Sequence, residues 1–246
     1  MIHFIHGQLD NLIVLYLNQF CGKCIFLDTL ALIFLSVDAL RTAILVALVI
    51  GIWEYGKIKN DLSANKRVLA ILFSIVLTLA IIEIMNALIQ SPRPVVVLES
   101  RIHSPIITSD TKSLWQDGWV RNPKHGSFPS DTVALLATIA VGLFLWNKAI
   151  GLLAIFFVVF AGILPRLYFG LHYPSDMLTG FLIAILSSLI VEKVKLFNFI
   201  SEKLLAFQTR FPYVFGVFGF YLAYIIADKF ILLRKLPLWI RVMFGH

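Results

Sequence analysis

Of the 246 residues, 59% belong to the set AVILMFWYC, only 14% are charged, and the mean hydropathy is +0.89. Soluble domains carry roughly 45–50% apolar residues even with glycine counted, so an ordinary soluble globule is excluded, as are disordered, collagenous and disulfide-scaffold chains. Lys and Arg number 21 against 14 Asp and Glu, a net charge of +7; with no basic helix or stripe, that excess suits lipid headgroups or a phosphorylated substrate and argues against nucleic acid.

Residues 1–38 alternate short apolar stretches with Asp10, Lys23, Asp28 and Asp38. This pattern fits helices lying in the membrane interface that roof or flank a bundle better than it fits a crossing. No charged n-region with a cleavage site is evident there, so the first true span is expected to direct insertion. A spanning helix needs roughly 17–25 mostly apolar residues, and such stretches lie at 68–90, 130–146, 149–165, 177–191 and 211–227. A sixth, 39–55, is bracketed by Arg41 and Glu54 and leans on Trp53 and Tyr55 as interfacial anchors. The expected fold is all-α: N-terminal interfacial helices over 1–38, then a polytopic membrane helix bundle over 39–246 with about six transmembrane helices. No room is left for a separate soluble domain.

Loop charge predicts orientation. Lys57, Lys59, Lys66 and Arg67 follow the first span, and Lys193, Lys195, Lys203 and Arg210 follow the fifth, so those loops are expected to be cytoplasmic. Counting crossings puts 91–129 and 169–175 together on the external face. Lys229, Arg234, Lys235 and Arg241 break the pattern; either the last helix is re-entrant or the tail lies flat.

Polar residues gather where the spans meet that external face: SPRP at 91–94, SFPSDT at 127–132, and RLYFGLHYPSD at 166–176. Ionisable residues at membrane depth are costly and default to a functional reading. In order and spacing the three segments resemble the signature motifs of the type 2 phosphatidic acid phosphatase (PAP2) superfamily. Those motifs are a Lys separated by six residues from Arg-Pro, then Pro-Ser-Gly-His, then an Arg with His six and Asp ten positions later. The third is matched completely by Arg166, His172 and Asp176. The resemblance covers the core 86–176 and leaves the first 38 and roughly the last 50 residues outside it.

Arg93 and Arg166 offer planar forks of donors that match phosphate oxygens. Ser130, just after Pro129, opens a helix whose first-turn N–H groups and dipole favour an anion. Arg93, Ser130, Asp131 and Arg166 are therefore the phosphate-binding candidates. The resemblance implies that His172 is the nucleophile of a phosphohistidine intermediate. Pro174 reads as the first helical position, which makes Asp176 the third, from where its carboxylate reaches back over the helix start to orient His172.

Two motif positions differ. Asn86 stands in place of the first-motif Lys, and Thr132 in place of the second-motif His, to which the family assigns protonation of the leaving oxygen. Thr cannot donate a proton at a useful pKa. A lipid monophosphate leaving from a diphosphate, with a second pKa of about 6, departs without help, so Thr132 favours a diphosphate substrate. Ser130-Asp131 in place of Ser-Gly also resembles the polyprenyl diphosphate phosphatase branch of bacitracin-resistance type. Lys124 and His125, upstream of the serine motif, are auxiliary candidates alongside Asn86 and Thr132; His125 is either a replacement acid or a solvated loop residue. Arg121, Arg101 and His103 are weaker.

Glu83, Asn86 and Gln90 recur at helical spacing and are expected to line the bundle interior. Cys21 and Cys24 form a lone C-x-x-C, open to redox, zinc or lipid-modification readings but best read as structural. Trp115 and Trp119 read as interfacial anchors. The expectation is a metal-independent, cofactor-free lipid phosphatase acting on a lipid diphosphate, plausibly polyprenyl, in a bacterial plasma membrane with its site facing outward. Its partners would be the phosphorylated lipid and membrane lipids, with oligomeric state open. The alternatives are a lipid phosphotransferase using the same site and a non-catalytic lipid-phosphate binding or transport protein.

Overall fold

The computed structural model describes residues 2–3, 6–106 and 126–227, which are overwhelmingly helical. Lys124, His125, Arg121, the two loop tryptophans and the basic tail lie outside the described residues. A two-residue strand β1 (Ile2–His3) comes first, followed by α1 (Gln8–Asn18), α2 (Ile25–Ser36), α3 (Asp38–Lys59) and α4 (Leu62–Leu88). Then come β2 (Ile89–Gln90), α5 (Asp131–Trp146), α6 (Lys148–Tyr168), α7 (Pro174–Lys193), α8 (Lys195–Arg210) and α9 (Pro212–Ala227). β1 pairs with β2 in parallel, Ile2 opposite Ile89 and His3 opposite Gln90.

Local chemistry sets the helix ends. Asp61 caps α4 by accepting from Ser63 N at 2.9 Å and Ala64 N at 3.3 Å, satisfying donors that a helix start leaves open. Asn147 does the same for α6 through Ala149 N and Ile150 N. α6 is not uniform: Val158–Ile163 forms a π-helical segment just before Pro165. Proline has no N–H to give the preceding turn, and a widened turn accommodates it while changing the face the next residues present. Arg166 is the first residue to benefit.

Among the described residues, α4, α6 and α7 are long and apolar enough to cross a membrane. α2 and α3 meet at a 60° bend and qualify together as one broken span. α5 and α9 are apolar but shorter, at 16 residues each. Of the six expected crossings, three qualify by length and composition among the described residues, or four with the bent pair. α2, expected to lie flat in the interface, is continuous with the first span across that bend.

α5 sits at the centre, packed by α4, α6 and α7; residues 132–143 are buried without interruption. A helix apolar on all sides belongs inside a bundle. Leu136, Ile139, Ala140 and Leu143 meet Ile71 and Ile75 of α4 and Leu45 and Val49 of α3 in the main core.

Two expectations are corrected. Residues 193–210 are not a loop: α8 packs on α4 with Ser201 and Leu205 buried one turn apart, a helical stripe that the surrounding lysines obscure. Glu83 and Gln90 are exposed and only Asn86 is half-buried. The helical spacing breaks because α4 ends at Leu88 and Gln90 belongs to β2.

Candidate active site

The three motif segments, far apart in sequence, are tied together by backbone bonds. Ser127 N donates to Ser91 O at 2.8 Å, Ser130 N to Asp176 O at 3.2 Å, and Val95 N to Gly170 O at 2.8 Å. Two glycines permit the approach. A Cβ on Gly180 would stand 2.8 Å from Ser130 O, so α7 can lie against the start of α5 only without a side chain there. Gly170 has φ +61° with Ile102 pressed on it, a backbone region that glycine enters without steric cost.

Ser130, Arg166, His172 and Asp176 each expose 5% or less of their surface, and Arg93 is half-buried. Pro174 is the first residue of α7, and Asp176 Oδ2 accepts from Tyr173 N at 2.7 Å and from Ser127 Oγ at 2.5 Å. His172 Nδ1 donates to Ser127 O at 2.9 Å, with Asp176 Oδ2 at 3.5 Å. A carbonyl only accepts, so the proton sits on Nδ1 and the lone pair on Nε2. Arg166 Nη1 donates to Gly162 O at 2.7 Å, at the π segment.

Burial lowers the pKa of His172, the Asp176 carboxylate pulls it back up, and Arg93 and Arg166 push it down again. The ring is therefore neutral at pH 7, and both guanidiniums are close enough to bear on it electrostatically. A neutral imidazole with a defined free nitrogen beside two cations can attack an electrophile carrying anionic oxygens.

The start of α5 differs from the expected open anion hole. Ser130 caps the helix through Val133 N at 3.5 Å, and Asp131 Oδ1 accepts from Thr132 N at 2.6 Å and Thr132 Oγ1 at 3.2 Å. An acidic first residue satisfies the helix start from within, so first-turn donors are partly engaged. Thr132 is buried. Asn86 lies beside the approach to the serine motif, its Oδ1 3.7 Å from where a Cβ on Gly126 would stand.

Sequence reasoning missed His6, Ser91, Ser127 and Asp10. Ser127 belongs to the SFPSDT string, yet nothing in a lone serine signals that its carbonyl fixes a histidine 45 residues away. His6 reaches Ser91 Oγ at 2.6 Å and Ser175 Oγ at 3.0 Å; its only local mark is Asp10 four residues on. Cys21 is buried with its thiol pushed up to about 12 by burial and by Asp28, and neither it nor Cys24 is in a disulfide. Among the described residues no three His, Cys, Asp or Glu side chains gather as a metal site.

An apolar helical bundle that keeps an arginine, a histidine and a carboxylate buried at one end, with a second arginine half-buried, defines the class: a helical membrane protein with a site suited to an anionic group. Comparison supplies the family. The model of the PAP2 superfamily matches residues 67–199, just over half of the sequence, and the chain belongs to that superfamily of phosphatases. A curated relative, the bacitracin transport permease protein BcrC of Bacillus licheniformis, is 40% identical over 65 residues. That match covers 26% of this chain and about a third, 32%, of the relative's length. The crystal structure of Aquifex aeolicus LpxE superposes with a TM-score of 0.57 over 79% of this chain and 100% of that one, at 23% identity, a likeness of fold.

Proposed function

We propose that this protein is an integral-membrane phosphatase that hydrolyses a lipid diphosphate, with polyprenyl diphosphate the favoured substrate class, through a phosphohistidine on His172. The observation that carries the reading is His172 itself. Its Nδ1 is committed to Ser127 O, which leaves the lone pair on Nε2, and Arg93 and Arg166 both act on it.

In this reading Arg93 and Arg166 hold the terminal phosphoryl oxygens and the start of α5 at Ser130 and Asp131 adds its dipole. His172 Nε2 attacks phosphorus; the N–P bond forms as the bridging P–O bond breaks, and the lipid monophosphate leaves with the electron pair. Asp176 stabilises the cationic ring that results. Water then attacks the same phosphorus, releasing inorganic phosphate and restoring the imidazole. Thr132 supplies no acid. Losing a general acid costs roughly 10²–10⁴-fold where the leaving group is an alkoxide and little where it is a phosphate. Membership of a phosphatase superfamily and the apolar spans support the class of activity; by loop charge, the site faces the external side of a bacterial plasma membrane.

Purified protein assayed with chelator against polyprenyl diphosphate, polyprenyl phosphate and phosphatidate tests this. The diphosphate should be hydrolysed at least roughly 10²-fold faster than either monoester, and His172→Ala should abolish phosphate release. Full activity in His172→Ala rejects the mechanism. Phosphate diverted onto an added lipid acceptor shows a transferase. Turnover that appears only in Thr132→His marks the wild type as a binding protein.

A further inference from the structure

One buried side chain reaches the site from a part of the chain that the motifs do not touch. His6 precedes α1 and its side chain is 5% exposed. The ring stacks on Tyr173, centroids 3.7 Å apart and planes 22° apart. Nε2 lies 2.6 Å from Ser91 Oγ and 3.6 Å from Asp176 Oδ1, while Nδ1 lies 3.0 Å from Ser175 Oγ and 3.5 Å from Asp10 Oδ2. One imidazole thus spans α1, the segment leading to Arg93, and the start of α7. Its approach is fixed from both sides: β1 pairs with β2 immediately before Ser91, and Asp10 Oδ1 accepts from Ser175 N at 3.0 Å.

The two oxygens of Asp176 are treated unequally. Oδ2 accepts from Ser127 and Tyr173 and faces His172. Oδ1 is buried and accepts no hydrogen bond among the described residues; His6 Nε2 faces it. A buried carboxylate oxygen without a donor is costly, and only the bonds to Oδ2 resist rotation of the group about its Cβ–Cγ bond. A ring packed flat on Tyr173 and bonded to Ser91 closes the space into which it would turn.

We propose that His6 is a positioning residue of this site: it confines Asp176 Oδ1 and anchors Ser91, so that Oδ2 stays aimed at His172. The kinetic consequences rest on the phosphatase reading; the geometric consequence does not. His172 is faced by Asp176, Arg93 and Arg166, and His6 by Asp10, Asp176 and the Tyr173 phenol. If Asp176 loosens, the carboxylate's upward pull on His172 weakens while the arginines remain, so His172 titrates at lower pH.

The test uses the full chain in detergent, with ring nitrogens of the histidines labelled and followed by NMR across pH, beside turnover of polyprenyl diphosphate. His6→Phe keeps the stack on Tyr173 and removes both nitrogens; His6→Gln returns an N–H. The expectation for His6→Phe is a lower His172 titration point, kcat reduced about ten-fold and KM within about two-fold, with His6→Gln recovering most of the loss. An unchanged or raised His172 titration in His6→Phe overturns the proposal, as does a loss confined to KM. If the titration moves as expected but wild-type protein turns nothing over, the positioning role stands and the phosphatase reading fails.

Discussion

The two ends of the bundle treat charge in opposite ways. At the far end, where α4 and α8 begin and α7 finishes, Lys66 pairs with Glu202 at 2.8 Å and Lys57 with Glu54 at 2.9 Å, all four side chains reached by solvent. At the site end, Arg166, His172 and Asp176 are almost wholly buried, and Ser127 alone meets both His172 and Asp176. Exposed pairs contribute roughly 0–1 kcal/mol. Buried charges cost several kcal/mol unless tightly held, so a fold that keeps them is spending stability on geometry. Substitutions at the two ends should therefore differ in kind: kinetic at one, marginally thermodynamic at the other.

The largest effect short of removing His172 is expected from Arg166→Lys. The guanidinium is planar and donates to Gly162 O from Nη1; an ammonium on a flexible stem cannot hold that fork of donors in a fixed plane. Losing one preorganised donor lowers kcat by roughly 10²–10³-fold, measured as phosphate release at saturating lipid. Wild-type kcat would mean that Arg166 only caps the π segment.

Gly180→Ala comes next, because the intruding Cβ meets the backbone oxygen of Ser130 at 2.8 Å. Forcing α7 away from α5 costs roughly 1–3 kcal/mol and moves Asp176 relative to the serine motif. Both the unfolding midpoint and kcat should fall. Gly216→Ala in α9, where an added Cβ meets nothing within 4 Å, should change neither; equal behaviour of the two variants would remove the close approach as an explanation.

Much of this was legible because membrane helices and charged motifs write themselves in composition. Asp176 at the third position of α7 follows from Pro174, and the buried run 132–143 follows from an unbroken apolar string. The missing part has a physical cause. Helix α8 hides behind lysines that label a loop, since charge alone does not distinguish a solvated loop from an amphipathic helix. His6 was illegible because a single histidine carries no periodicity; only the pairing of β1 with β2 brings it to Ser91. The same holds for Ser127, whose role is played by its carbonyl, a group that every residue has.

The smallest effect is expected at the far end, from Arg67→Gln. Arg67 grips Glu192 with two nitrogens, at 2.5 and 3.0 Å, and so joins α4 to α7. The arginine is 18% exposed and the glutamate 45%, so water competes for both, and the loss should be at most about 1 kcal/mol, shrinking further in high salt. α7 runs from Glu192 back to Asp176, so this pair is linked to the site through one continuous helix. Between them Ile183 packs on Ile82 and Ala134, and a close-packed interior resists small displacements rather than transmitting them by degrees. Unchanged kcat with a slightly lower unfolding midpoint is the expected result. A fall in kcat at unaltered stability would show that the two ends are coupled through α7, and the contrast between them would have to be redrawn around that helix.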